Sequence, residues 1–161
     1  MMKKGREKNI MKKLMAIIVV ACFLACGIAY AGMGTAREAM TLVDKAVAYY
    51  KANGKDKAYP EFNNKTGQFV NRDLYIFVID WNGTILAHGA NEKLINKPTW
   101  DLKDADGKYF MREMVKVAQT KGTGWVDYKW TNPVTKKIEQ KSSYVKRVGS
   151  ENLLIGCGIY K

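Results

Sequence analysis

The sequence predicts an α+β fold, in which a long N-terminal helix packs on a five-stranded antiparallel sheet and the helices share one face. Apolar residues recur every three or four positions from Ala36 to Tyr50, which is typical of an amphipathic helix. Five later runs are rich in β-branched and aromatic residues and are separated by turn residues, which is typical of short strands.

Turn and stop signals set the predicted bounds of each element. The first helix is expected to begin at Ala36 and to end at Asn53-Gly54, because glycine accepts the conformation that closes a helix. A short helix from Lys55 to Phe62 follows, and a later one from Tyr109 to Lys121 carries an apolar stripe. The predicted strands are Leu74–Ile79, Thr84–His88, Gly124–Trp130, Ile138–Val148 and Leu153–Tyr160.

The N-terminal segment differs in composition from the rest of the chain. A basic stretch precedes an uninterrupted apolar run at residues 14–29, and Ala29-Tyr30-Ala31 offers the small residues of a cleavage site. This is the layout of a secretory signal peptide. We therefore expect residues 1–31 to be removed and residues 32–161 to form a single domain that works in the periplasm or outside the cell.

Two alternatives to cleavage stay open. The apolar run could remain as a membrane anchor, although it is shorter than the roughly 20 residues that a spanning helix needs. A lipid could instead be attached at Cys22 or Cys26. In either case the protein would contact the membrane only through this segment.

Composition excludes several classes of function. The chain has 161 residues and a net charge of +12, but residues 32–161 hold only one histidine, His88, and one cysteine, Cys157. That excludes an internal disulfide and a structural zinc site, which needs about four Cys or His ligands. Cys157 lies between glycines in an apolar strand, where a thiol is inert, so we expect neither a Cys-His nucleophile nor an enzyme. The basic residues are scattered, which does not favour nucleic acid.

Two groups of polar residues allow more than one interpretation. Asp101, Asp104 and Asp106 could bind calcium, but capping a turn and the following helix is the simpler role. Lys141 lies in the middle of a predicted strand. If its side chain enters a cleft between sheet and helix, it needs an anionic partner, and if it lies on the open face it is simply solvated.

The order of several short motifs resembles the single Cache domain of the second type. The motifs are DLYIFV at 73–78, Asn82-Gly83, LAHG at 86–89, LKDADG at 102–107, GWVDYKW at 124–130, Asn132-Pro133, KSSYV at 141–145 and IGCGIY at 155–160. The resemblance covers nearly all of residues 36–161. It implies a PAS-like antiparallel sheet beneath a long N-terminal helix.

The same resemblance implies a function. Cache domains of this type are extracytoplasmic ligand sensors of bacterial chemoreceptors and histidine kinases, and they bind small carboxylates such as short 2-oxo or 2-hydroxy acids without a cofactor. Positions that match the family motifs would bring five residues near the ligand: Tyr75, His88, Tyr128, Lys141 and Tyr144.

One departure from the family shapes the expected role. Receptors of this family continue past the last strand into a membrane helix, whereas this chain stops at Lys161. We therefore expect a binding protein that acts as accessory to a membrane receptor or kinase. The alternative is a structural or protein-interaction domain with no ligand.

Overall fold

The computed structural model describes residues 32–161, and the predicted signal segment lies outside these described residues. No helix among them is both long enough and apolar enough to cross a membrane. Three α-helices and one short 3-10 helix are described: α1 (Ala36–Asn53), α2 (Lys55–Asn63), the 3-10 helix (Glu92–Leu94) and α3 (Phe110–Lys121).

The sheet is antiparallel throughout. The strands along its main path lie in the order β1-β2-β6-β5-β4, and β3 pairs with β2 as well. Their bounds are β1 (Val70–Asn71), β2 (Leu74–Asp80), β3 (Ile85–His88), β4 (Thr123–Thr131), β5 (Ile138–Arg147) and β6 (Leu153–Tyr160).

The sheet thus has six strands where five were predicted. The additional strand, β1, is two residues long and pairs back onto the start of β2 through a tight turn. Arg72 in that turn has a φ of 60°. Two residues in a polar loop are too few to show the alternation by which strands are predicted.

Local signals fix both ends of α1. At its start, Glu38 N–H donates to the Thr35 hydroxyl, while Thr35 N–H donates to the Glu38 carboxylate at 2.8 Å. This reciprocal pair is a capping box, which satisfies amide groups that a helix start otherwise leaves without partners. At its end, Gly54 has a φ of 72°, a conformation that glycine adopts without strain.

The helices cover both faces of the sheet, so the prediction that they share one face is wrong. Along β2, Leu74, Ile76 and Val78 pack with α1, whereas Tyr75, Phe77 and Ile79 pack with α3. We call these sides the α1 face and the α3 face. Each face buries its own apolar cluster, and the central strand is buried on both sides.

Candidate ligand-binding site

A cavity lies on the α3 face, between the sheet and α3. Its inner wall is apolar, and the cavity as a whole has room for about one water molecule. The lining residues are Tyr75, Phe77, Ile79, Ile85, His88, Phe110, Met111, Met114, Tyr128 and Trp130. A small ligand would therefore meet mostly apolar atoms and a few polar groups.

A second, more polar pocket adjoins the cavity and shares Tyr75, His88 and Trp130 with it. Residues of the β4–β5 turn, such as Thr131 and Asn132, complete its lining together with Ala90 and Asn91, and its volume is about 230 Å³. The shared residues form the boundary between the two compartments. A ligand that reaches the inner cavity through the outer pocket must pass Tyr75 and His88.

Lys141 lies next to this boundary and is fully buried. Its Nζ donates hydrogen bonds to the Tyr75 hydroxyl at 2.6 Å and to the Tyr160 hydroxyl at 3.2 Å. Among residues 32–161, no carboxylate lies within ion-pair distance of it. Burial lowers the pKa of Lys141 to about 7, although the negative charge of Asp73 acts in the opposite direction.

A glycine in the neighbouring strand makes room for this buried lysine. A Cβ at Gly158 would lie less than 3 Å from Lys141 Cε and from Ser143 Oγ. Because Ser143 pairs directly with Gly158 across β5 and β6, the missing side chain leaves space for the lysine stem over the sheet. The close approach requires glycine at this position.

The Tyr75 hydroxyl is placed to act as a donor into the cavity. It accepts a hydrogen bond from Lys141, so its own proton is free to point elsewhere. Tyr160 OH lies 3.5 Å away, but it already donates to the Thr131 carbonyl at 2.8 Å and accepts from Lys141. Burial raises the pKa of Tyr75 well above its ordinary value, so this hydroxyl stays protonated.

His88 offers a second neutral donor. Its Nδ1 accepts hydrogen bonds from the backbone N–H groups of Ala90 at 3.2 Å and Asn91 at 2.9 Å. A nitrogen that accepts two such bonds carries no proton, so the proton lies on Nε2. Burial and the nearby charge of Lys141 lower the pKa of His88 to about 3. The imidazole is therefore neutral at physiological pH, with a donor at the boundary between the pockets.

The structure brings together four of the five predicted residues. Tyr128 lines the cavity, stacks on Phe110 with ring centroids 4.4 Å apart, and shares a hydrogen bond of 3.0 Å with Ser143. Tyr144 does not join Tyr75, His88, Tyr128 and Lys141, because it belongs to the apolar cluster of the α1 face. Adjacent residues of a strand point to opposite faces, and Tyr144 is an odd number of residues from Lys141.

Two residues of this region were not predicted. Tyr160 holds the Lys141 amine, and Trp130 lines both pockets. Trp130 shares a strand face with Tyr128 by simple alternation, which was a usable signal. The position of Tyr160 depends on its pairing with Lys141 across β5 and β6, and no local pattern reveals such a register.

Cys157 and Asp104, which were considered for other chemistry, line neither the cavity nor the outer pocket. Cys157 lies on the α1 face, and burial raises the pKa of its thiol to about 12. Residues 32–161 contain no group of three or more His, Cys, Asp or Glu side chains placed to hold a metal. Asp104 instead accepts hydrogen bonds from three backbone N–H groups, those of Asp106, Lys108 and Lys129.

Comparison with known families identifies this architecture. The family described as "Single Cache domain 2" matches residues 32–161. The chain belongs to this family. A Cache domain of this kind is a ligand-binding sensor module that lies outside the cytoplasm, and it forms part of chemoreceptors and histidine kinases.

Two relatives with matching sequences illustrate the relationship. The methyl-accepting chemotaxis protein McpP of Pseudomonas putida is 31% identical over 88 residues, which is 55% of this chain and 16% of that protein. The sensor histidine kinase MctS of Rhizobium johnstonii is 32% identical over 90 residues, 55% of this chain and 19% of that protein. This Cache domain therefore matches less than a fifth of the length of either relative.

A solved structure described as "Structural basis for carboxylic acid recognition by a Cache chemosensory domain" has the same fold. It is 26% identical to this chain, covers 77% of this chain and 91% of its own, and superimposes with a TM-score of 0.65. The agreement confirms the predicted α+β Cache architecture.

Proposed function

We propose that this chain binds a short 2-oxo or 2-hydroxy carboxylate in the cavity of the α3 face. The observation that carries the proposal is the buried Lys141 amine, which has no carboxylate partner among residues 32–161 and lies directly behind the Tyr75 hydroxyl. A buried cation without an anionic partner is costly. An anionic ligand in the adjoining cavity would supply that partner.

The polar groups at the cavity boundary suit a carboxylate head group. Tyr75 OH and His88 Nε2–H are both neutral donors there. A carboxylate that loses its hydration needs hydrogen bonds to offset the cost, and bonds to a charged group are about twice as strong as neutral ones. In this arrangement Tyr75 donates to the carboxylate, Lys141 strengthens that donor, and His88 contacts the second oxygen-bearing group.

The apolar interior limits the size of the ligand. Phe77, Met111 and Met114 are among the side chains that line it, and the free space between the lining residues is close to the volume of one water molecule. An acid with two or three carbons could place its methyl group against these side chains. A larger acid would have to displace them, which favours the short members of the class.

The biological setting follows the family. We propose that the domain works outside the cytoplasm after residues 1–31 are cleaved, and that it passes its signal to a membrane receptor or kinase as an accessory binding protein. The relatives, a chemotaxis receptor and a sensor kinase, support a role in sensing. A structural domain without a ligand is the competing role.

Calorimetry of the purified protein with L-lactate tests the binding proposal. Lys141→Met keeps the apolar stem and deletes the amine, so we expect the affinity to fall by about 30-fold or more, which corresponds to roughly 2 kcal/mol. Lys146→Met is the matched control, because Lys146 lies on the same strand, is half-exposed and pairs with Asp44. It should bind as the wild type does.

The outcomes separate the two roles. Weaker binding by Lys141→Met and unchanged binding by Lys146→Met support the proposal. Equal affinities in all three proteins would show that the carboxylate site lies elsewhere. No heat with L-lactate, pyruvate or acetate would favour the domain without a ligand.

A further inference from the structure

The buried amine of Lys141 is surrounded by neutral dipoles. Two of its three N–H groups bond to the hydroxyls of Tyr75 and Tyr160, and the nitrogen also lies 4.1 Å and 4.7 Å from the centroids of these two rings. Hydroxyl oxygens and ring faces stabilise a positive charge less than a carboxylate does. Without a ligand, therefore, the charged form of this amine is poorly compensated.

The groups that face Lys141 from the surrounding strands do not titrate near neutral pH. Burial raises the pKa values of the Tyr75, Tyr128 and Tyr160 hydroxyls, so all three keep their protons. On the opposite face of β6, burial also raises the pKa of the Cys157 thiol, so it stays neutral as well. His88, from β3, stays neutral because burial and Lys141 lower its pKa to about 3. Lys141 is then the group in this cluster that changes charge near pH 7.

Asp73 is the carboxylate that acts on Lys141 from a distance. It is fully buried before β2, and one of its oxygens accepts the Gly34 N–H at 2.6 Å. Its other oxygen has no protein partner among the described residues. Asp73 favours the charged form of Lys141, but it does so less than burial favours the neutral form.

We propose that a carboxylate entering this cavity draws a proton from solvent onto Lys141, so that the domain binds its acid and a proton together. This inference rests on the proposed function. The incoming acid arrives as an anion, the proton joins the Lys141 amine, and no covalent bond forms or breaks. The negative charge of the carboxylate and the positive charge of the proton cancel, so binding adds no net charge to the interior of the domain. This is favourable because an uncompensated buried charge is costly.

A definite pH dependence follows. Below the pKa of Lys141 in the free protein the amine is already charged, and binding takes up no proton. Above this pKa the amine is neutral, and it must take up a proton from solvent each time the acid binds. The affinity therefore falls by up to about tenfold for each pH unit. This fall continues until the pH reaches the higher pKa of Lys141 in the complex. A sensor with this property responds more strongly to the same acid concentration when its surroundings are acidic.

Calorimetry in paired buffers measures the proton directly. L-lactate is titrated into the purified protein at pH 8 in phosphate and in Tris, and at pH 6 in phosphate and in Bis-Tris. The two buffers of each pair differ in ionisation enthalpy. At pH 8 the heats should differ between buffers by an amount that corresponds to about one proton per lactate. At pH 6 the difference should be much smaller.

Variants identify the group that takes the proton. Lys141→Arg keeps a positive charge that does not titrate, so any binding it retains should show no proton uptake at pH 8. Lys146→Met should behave as the wild type does. Equal heats in the two buffers with wild-type protein, or proton uptake that persists in Lys141→Arg, would overturn the inference while leaving carboxylate binding intact. If L-lactate, pyruvate and acetate all fail to bind, the proposed function fails together with it.

Discussion

The two faces of the sheet are built from the same strands but differ in what they bury. The α1 face packs apolar side chains from α1, α2 and the sheet. Its rings include Phe62 and Phe69, which pack edge to face with their centroids 4.8 Å apart. The α3 face buries a cavity, a lysine and a histidine beside its apolar cluster. Because successive residues of a strand alternate between faces, one sheet separates an apolar side from a side that also holds a cavity and buried polar groups.

The helices that cover these faces are anchored differently. α1 has 18 residues and a capping box, whereas α3 has 12 residues and its N-cap residue, Tyr109, makes no side-chain cap. The helix that lines the cavity is thus the shorter of the two, and its first turn has no side-chain cap.

Truncating one phenylalanine on each face gives the largest expected contrast. Phe62→Ala removes a fully buried ring from the α1 face and should lower the free energy of unfolding by about 3–5 kcal/mol. Phe77→Ala should cost less, because one side of this ring already borders the cavity. Urea unfolding of both variants checks the difference, and equal losses would mean that the α3 face is packed as tightly as the α1 face.

A single methyl group on β6 should disturb the α3 face alone. Gly158→Ala places a Cβ against Lys141 and Ser143, so we expect a loss of about 1–3 kcal/mol in stability together with weaker binding of L-lactate. Gly32→Ala is the control, because nothing lies within 4 Å of its Cβ position. Urea unfolding measures the stability and calorimetry measures the binding. Unchanged binding of L-lactate by a folded Gly158→Ala variant would mean that Lys141 takes no part in the ligand site.

Local signals were sufficient to predict the ends of most elements. α1 begins at Ala36 and ends at Asn53 as predicted, since Gly54 acts through its own backbone. The sequence also contained a signal that helices cover both faces of the sheet. The β2 run LYIFVI shows no alternation of apolar and polar residues, and an unbroken apolar strand is typical of one that is buried on both sides.

The residues of the candidate site could be predicted from two signals only: the alternation of side chains between the faces of a strand, and the resemblance to the family. Tyr75, His88, Tyr128 and Lys141 lie on one face, but grouping Tyr144 with Lys141 ignored the alternation along β5. Tyr160 reaches Lys141 because the two residues pair across strands. That register depends on the whole sheet, so no pattern within one segment could indicate it.

The smallest expected effect concerns the cap that anchors α1. Thr35→Ala removes the hydroxyl that accepts the Glu38 N–H, which should lower the free energy of unfolding by about 1 kcal/mol at pH 7. Thr41→Ala is the control, because Thr41 is exposed within the same helix and alanine favours helices. Urea unfolding of both variants measures the difference.

This cap should weaken in acid. Hydrogen bonds from Thr35 N–H and the Thr35 hydroxyl, together with Arg72, lower the pKa of Glu38 below its ordinary value of 4.5. A carboxyl group with a lowered pKa stabilises the fold above its ordinary pKa, and that contribution is lost as the pH falls through the lowered value. The cost of Thr35→Ala should therefore be smaller at pH 3 than at pH 7. An equal cost at both values would mean that the hydroxyl caps α1 without help from the charge of Glu38.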